Sequence, residues 1–184
     1  MNKQGGIMSK QCVLISIRPQ WCELIANGKK TIEVRKTRPK LDTPFKCYIY
    51  CTQGSNHLCL MQNSDGANLI ACCNWKTALP FGGSISNGKV IGEFVCDQIY
   101  QYSTGDIDGQ TMSSEEMQKQ SCLTYDELSE YETSAEPKEN CIYLIGLYGW
   151  HISALQIYGK PKELSEFGLT RPFQSWGYVN GKAD

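Results

Sequence analysis

Cys12-Val13-Leu14-Ile15-Ser16-Ile17-Arg18-Pro19 sets apolar side chains at Val13, Ile15 and Ile17, alternating with Leu14, Ser16 and Arg18, and then places a proline. A period of two is that of a strand, with the odd residues facing a core. Proline is tolerated in the first turn of a helix, where its missing N–H has no intrahelical partner to lose, so Pro19 opens a helix. Trp21, Leu24 and Ile25 give that helix an apolar face, and Asn27-Gly28 supplies a left-handed stop after about two and a half turns. From Thr31 to Arg35 the alternation returns, with Thr31, Glu33 and Arg35 on one face and Ile32 and Val34 on the other.

Farther along, Phe45 to Cys51 and Lys89 to Cys96 read as strands, and residues 53–88 between them as an elaborated excursion. Residues 103–139 are polar and acidic and predict two helices, one capped by Ser113 or Ser114 ahead of Glu116, the other by Thr124 ahead of Glu127. This region is expected to be a solvated face. Cys141 to Tyr158 predicts two strands around Gly149, Pro161 ends the pattern, and residues 165–178 form a loop-rich tail. Strands with interspersed helices and no sustained alternation argue for an α+β chain with a mostly antiparallel sheet or small barrel. Neither a Walker-type phosphate loop nor a G-x-G-x-x-G turn is present, which disfavours a doubly wound nucleotide-binding fold.

At 184 residues, 41% of them apolar and 20% charged, the chain suits one domain over residues 9–184, preceded by a flexible leader at 1–8 and carrying insertions near 53–88 and 103–139. No run approaches the roughly 20 apolar residues of a membrane helix, and the start lacks a secretory apolar region. The expectation is a cytoplasmic protein with no membrane partner, whose ten cysteines are buried thiols. Cys47 and Cys51 stand about 13 Å apart along one strand and no C-x2-C pair exists, so no metal is assigned. His57 and His151 lack companions at ligand spacing and are read as structural or surface residues. Trp21, Phe94 and Trp150 are read as core.

The net charge of -1 argues against a general polyanion binder, yet the charge is unevenly spread. Lys29, Lys30, Arg35, Lys36, Arg38 and Lys40 crowd twelve residues against the single acid Glu33, whereas Asp97 to Glu139 holds eleven acids against Lys119 and Lys138. A helix ending at Gly28 and a strand carrying Glu33 and Arg35 bring cations and one carboxylate together. Cations there can hold a phosphate or polarise a carbonyl, and the carboxylate can accept hydrogen bonds from a base edge. The same pattern also fits a surface ion pair worth at most ~1 kcal/mol.

Gly28-x-Lys30-x-x-Glu33-x-Arg35 resembles the signature of the ASCH (activating signal cointegrator homology) family. So do Ser16-Ile17-Arg18-Pro19, the strands around Tyr48-Ile49-Tyr50 and Val90-Ile91-Gly92-Glu93, and a closing Arg171-Pro172-Phe173-Gln174-Ser175-Trp176. The resemblance implies a PUA-like small mixed β-barrel flanked by short helices, and RNA or nucleotide binding in a cleft beside the signature, with no cofactor. It assigns Gly28, Lys30, Glu33 and Arg35 to the site, and Arg18 is a plausible addition. Lys29, Lys36, Arg38 and Lys40 are then expected to track phosphates, and Tyr48, Tyr50 or Trp176 to stack on an unpaired base. The alternative is a small metal-independent hydrolase of a modified nucleoside (amidohydrolase type) or a ribonuclease, with Lys30 as nucleophile or base and Glu33 activating water. A protein-interaction role for the acidic region is a third reading. Arg171 stands where the family often has proline, and there it would add a cation to the rim.

Overall fold

In the computed structural model, residues 11–62, 68–73, 84–105, 109–134 and 146–181 are described. The elements run β1 (Gln11–Ile17), α1 (Pro19–Ala26), β2 (Ile32–Arg35), β3 (Phe45–Cys51), β4 (His57–Gln62), β5 (Asn68–Cys73), β6 (Ser84–Ile85) and β7 (Val90–Cys96). They continue with β8 (Ile99–Tyr102), α2 (Ser114–Ser121), α3 (Tyr125–Thr133), β9 (Leu147–His151), β10 (Ser153–Lys162), a 3-10 turn (Leu164–Phe167) and β11 (Trp176–Asn180). The leader expected over 1–8 and the start of the strand expected from Cys141 lie outside the described residues.

The strands form a five-stranded sheet in the order β10-β7-β3-β1-β11, a three-stranded sheet β2-β9-β8, and a small sheet β5-β4-β6 drawn from residues 57–85. Among the described residues only β1 and β3 pair in parallel, joined by a connection that contains α1 and β2; the other pairings are antiparallel. The architecture is therefore mixed α+β, and no pairing among the described residues closes a barrel.

β1 differs from the one-sided strand its sequence suggests, because both of its faces are buried. Val13, Ile15 and Ile17 pack with Cys22 and Ile25 of α1, Ile49, Phe94 and Trp150. Leu14 packs on the other side with Tyr48, Tyr50, Tyr158, Phe167 and Val179, because the C-terminal tail folds back as a second cover. A third cluster joins Ile32 and Val34 of β2 to Met117 of α2 and Leu128 of α3. The acidic segment is thus amphipathic: Glu115, Glu116, Asp126 and Glu127 face solvent while Met117 and Leu128 are fully buried. Gly149 lies inside β9 and the break between strands comes at Ile152. Pro161 does not end β10, which is the edge strand of its sheet, where a missing N–H breaks no ladder. No helix among the described residues is long and apolar enough to cross a membrane.

Candidate functional site

Gly28 takes a φ of +69°, the left-handed conformation that glycine adopts without strain, and so ends α1. The N–H groups of both Lys29 and Lys30 then return to the Leu24 carbonyl, at 2.9 and 3.0 Å. This tight turn delivers Lys30 to the mouth of β2. Pairing of β2 with β9 fixes the alternation, so Ile32 and Val34 enter the third core cluster while Glu33 and Arg35 point the other way.

Those two side chains meet Lys30 in a cleft of about 390 Å3. Glu33 stands between the two cations: its Oε1 lies 2.9 Å from Arg35 Nη2 and its Oε2 3.5 Å from Lys30 Nζ. Arg35 also donates to the Ser16 carbonyl at 2.7 Å and to Ser175 Oγ at 3.2 Å, which ties β2 to the end of β1 and to the tail. Its buried Nε has no partner among the described residues. Lys30 is 2% exposed and donates to the Ser121 carbonyl at 2.7 Å, at the end of α2 where the helix dipole favours a cation. Its ammonium also lies 5.3 Å from the centre of the Trp21 ring. Burial pushes the Lys30 pKa below the ordinary lysine value, with the neighbouring Glu33 carboxylate pulling the other way. Burial likewise raises the Tyr131 phenol, which borders the same cleft.

The expected site residues divide into two groups. Arg18, Lys30, Glu33 and Arg35 line the cleft. Gly28 shapes the turn without lining it, and Lys29, Lys36, Arg38, Lys40 and Arg171 stand outside the cleft lining. The basic strip is accordingly not one surface track. Lys30 and Arg35 are buried, Lys36 lies 4.9 Å from the Tyr131 ring centre and donates to Ser134, and Arg38 lies 5.9 Å from the Tyr148 ring.

Tyr48 and Tyr50 are corrected: both are buried in the second core cluster, Tyr48 with its ring 4.8 Å from Phe167, because the tail covers that sheet face. Trp176 is half-buried and does not line the cleft; it packs against Trp150 and Tyr178 and donates to Thr37 at 3.0 Å. Trp21, read as core, packs against the first core cluster and is also a wall of the cleft. Leu123 and Tyr131 from the acidic segment, Thr52 after β3, and Gln174 and Ser175 from the tail also line it. Only the Gln-Ser pair within the family-like tail carried any sequence signal for these. His151 also gains a companion: its Nδ1 lies 2.6 Å from Asp97, a carboxylate 54 positions away, and the bond holds the Asp97 carboxyl below its ordinary range.

Chemically, the cleft offers a planar aromatic wall at Trp21, acceptor oxygens at Glu33, and donors from Lys30 and Arg35. At its rim Arg18 is exposed and makes no ion pair or side-chain hydrogen bond among the described residues. No curated protein matches the chain. Among solved structures, ASCH from Zymomonas mobilis superposes with a TM-score of 0.55 at 17% identity, covering 91% of this chain and 87% of that one. A mutant form of that Zymomonas mobilis protein gives a TM-score of 0.50 at 16% identity, over 95% and 92%. Such identities speak for the fold alone. Residues 15–148 match the ASCH domain itself, a span that holds the Gly28-to-Arg35 turn and strand together with the α2–α3 cover that closes over them, and the chain belongs to the ASCH domain family.

Proposed function

We propose that the protein is an RNA- or nucleotide-binding module that takes its ligand in the cleft between α1, β2 and the α2–α3 cover. The observation that carries this reading is the buried row Lys30–Glu33–Arg35 beside an exposed Arg18 that has no ion-pair partner among the described residues. A buried ion pair is weak evidence for a stabilising role, since well-packed apolar residues of the same volume serve stability as well or better. Its position in an open cleft favours a ligand. An unpaired base would lie against Trp21 and present its amino edge to Glu33, while the phosphate would meet Arg18. The reading takes residues 9–184 as one PUA-like domain of barrel type working in the cytoplasm, where the buried free thiols of Cys12, Cys22, Cys47, Cys51, Cys59 and Cys96 stay reduced.

One observation favours the hydrolase alternative. Burial lowers the Lys30 pKa, which raises the fraction of free amine available as base or nucleophile. A panel of short RNAs, short DNAs and acylated nucleosides, assayed for binding and for product, separates the two. A binding module retains ligand without turnover and loses affinity gradually in Lys30→Ala. An enzyme makes product and loses turnover by orders of magnitude in the same variant while still binding. Neither binding nor product with any member of the panel overturns both.

A further inference from the structure

A second cavity of about 290 Å3 adjoins the cleft, and the two share Arg18 and Thr52. The loop from Gln53 to Asn56 forms half of its wall and brings amide and hydroxyl side chains, and among the described residues Arg18 is the one charged side chain lining it. This loop is held from behind by a single buried amide. Asn87, 8% exposed, donates to the carbonyls of Thr52 and Asn56 at 3.2 and 2.9 Å and accepts the Leu58 N–H at 2.8 Å. The Thr52 N–H is in turn bonded to the Ile17 carbonyl at 2.8 Å, at the end of β1. The cavity is therefore built before any ligand arrives, which spares the ordering that a loose loop would need.

Resting on the nucleotide-binding reading, we propose that the two cavities are consecutive nucleotide subsites. The ligand is then an RNA segment of at least two nucleotides, with its linking phosphodiester against Arg18. Charge favours that junction. Among the described residues Glu33 is the only carboxylate lining the cleft, already held between Lys30 and Arg35, and none lines the second cavity, so a phosphate monoanion at Arg18 meets no carboxylate there that is not already paired. Apart from Arg18, the described lining of the second cavity presents uncharged donors and acceptors and no aromatic face, which suits ribose hydroxyls and a base edge.

Titration calorimetry with nucleoside 5′-monophosphates, ribodinucleotides, and ribodinucleotides whose linkage is an uncharged methylphosphonate tests the inference. The dinucleotide is expected to bind at least about tenfold more tightly than the monophosphate, and the uncharged linkage to lose most of that gain. Gln53→Glu, which sets a carboxylate in the second cavity, brings the ratio of dinucleotide to monophosphate affinity down towards one; Gln53 is exposed, and an unchanged melting temperature certifies the variant's fold. A ratio near one in the unaltered protein overturns the second subsite and leaves the cleft reading standing. A gain that survives Gln53→Glu puts the second nucleotide elsewhere and also overturns it. Failure of every ligand to bind overturns the cleft reading itself.

Discussion

Glu33 is the residue on which the site's electrostatics turn, because among the described residues it is the only carboxylate lining a cleft that holds two buried cations. Glu33→Gln keeps the shape and removes the charge, leaving Lys30 and Arg35 facing each other without compensation. Breaking a buried pair in this way costs about 3–5 kcal/mol, so urea unfolding of the variant is expected to show a loss of that order. An unchanged midpoint would mean that the three groups are solvated and not coupled. The buried thiols make a separate prediction at high pH. Burial pushes Cys96 from 9.0 up to about 12, so the folded state keeps its proton where the unfolded chain has lost it. Stability from this group is complete below pH 9 and is lost as pH rises towards 12, with a slope of about 1.4 kcal/mol per pH unit. Cys96→Ala should flatten the alkaline loss across that window in denaturant titrations at stepped pH. Lys30 acts with the opposite sign, since its lowered pKa makes stability rise with pH as 10.5 is approached from below.

Among the elements, α3 starts with a reciprocal capping box: the Thr124 hydroxyl accepts the Glu127 N–H at 3.2 Å, and Glu127 Oε2 accepts the Thr124 N–H at 2.8 Å. Thr124→Ala is expected to lower stability by about 1 kcal/mol, read as a shift in the urea midpoint at constant slope. Gly92 of β7 shows what a sheet cannot absorb. A methyl group there would overlap the Gln156 carbonyl and crowd Ile157, so Gly92→Ala must push β10 off the sheet edge. Amide hydrogen exchange should show β10 losing protection while the β1–β3 pairing keeps it. Uniform protection would show that the edge strand shifts without losing its bonds.

At the level of the whole molecule, the α2–α3 segment joins stability to the site. Leu128 is fully buried in the cluster that seats this cover on β2, and the cover brings Leu123 and Tyr131 to the cleft and the Ser121 carbonyl to Lys30. Leu128→Ala is expected to remove roughly 2–5 kcal/mol of stability and to weaken ligand binding at a distance, measured together by unfolding and calorimetry. Ligand binding that is unaffected after such a loss would show the cover to be dispensable. Because Lys30 and Arg35 are buried and paired with Glu33, few cations remain to neutralise phosphates. Single-stranded RNA binding should therefore weaken with salt at a log–log slope no steeper than about -3, near -0.7 for each phosphate contacted.

Local chemistry was sufficient for much of this molecule. The alternation at Val13, Ile15 and Ile17, the proline at the start of α1, the left-handed stop at Gly28 and the two capped helices α2 and α3 all follow from nearest-neighbour rules, and each appears where the residues place it. The family signature likewise put Lys30, Glu33 and Arg35 together, since three residues on one turn and one strand face need no distant contact to be neighbours. What lies over them was decided by tertiary structure. Tyr48 faces away from its own strand's Cys47 and Ile49, and only the return of the tail makes that side a core instead of a stacking platform. Tyr131 reaches the cleft, and the Ser121 carbonyl reaches Lys30, from about 90 to 100 positions away, carried by a segment whose acidic surface conceals a buried seam at Met117 and Leu128. Alternation and caps act over a few residues, whereas a cleft is made by surfaces that meet only when the chain has folded, and that is why its strand was readable and its walls were not.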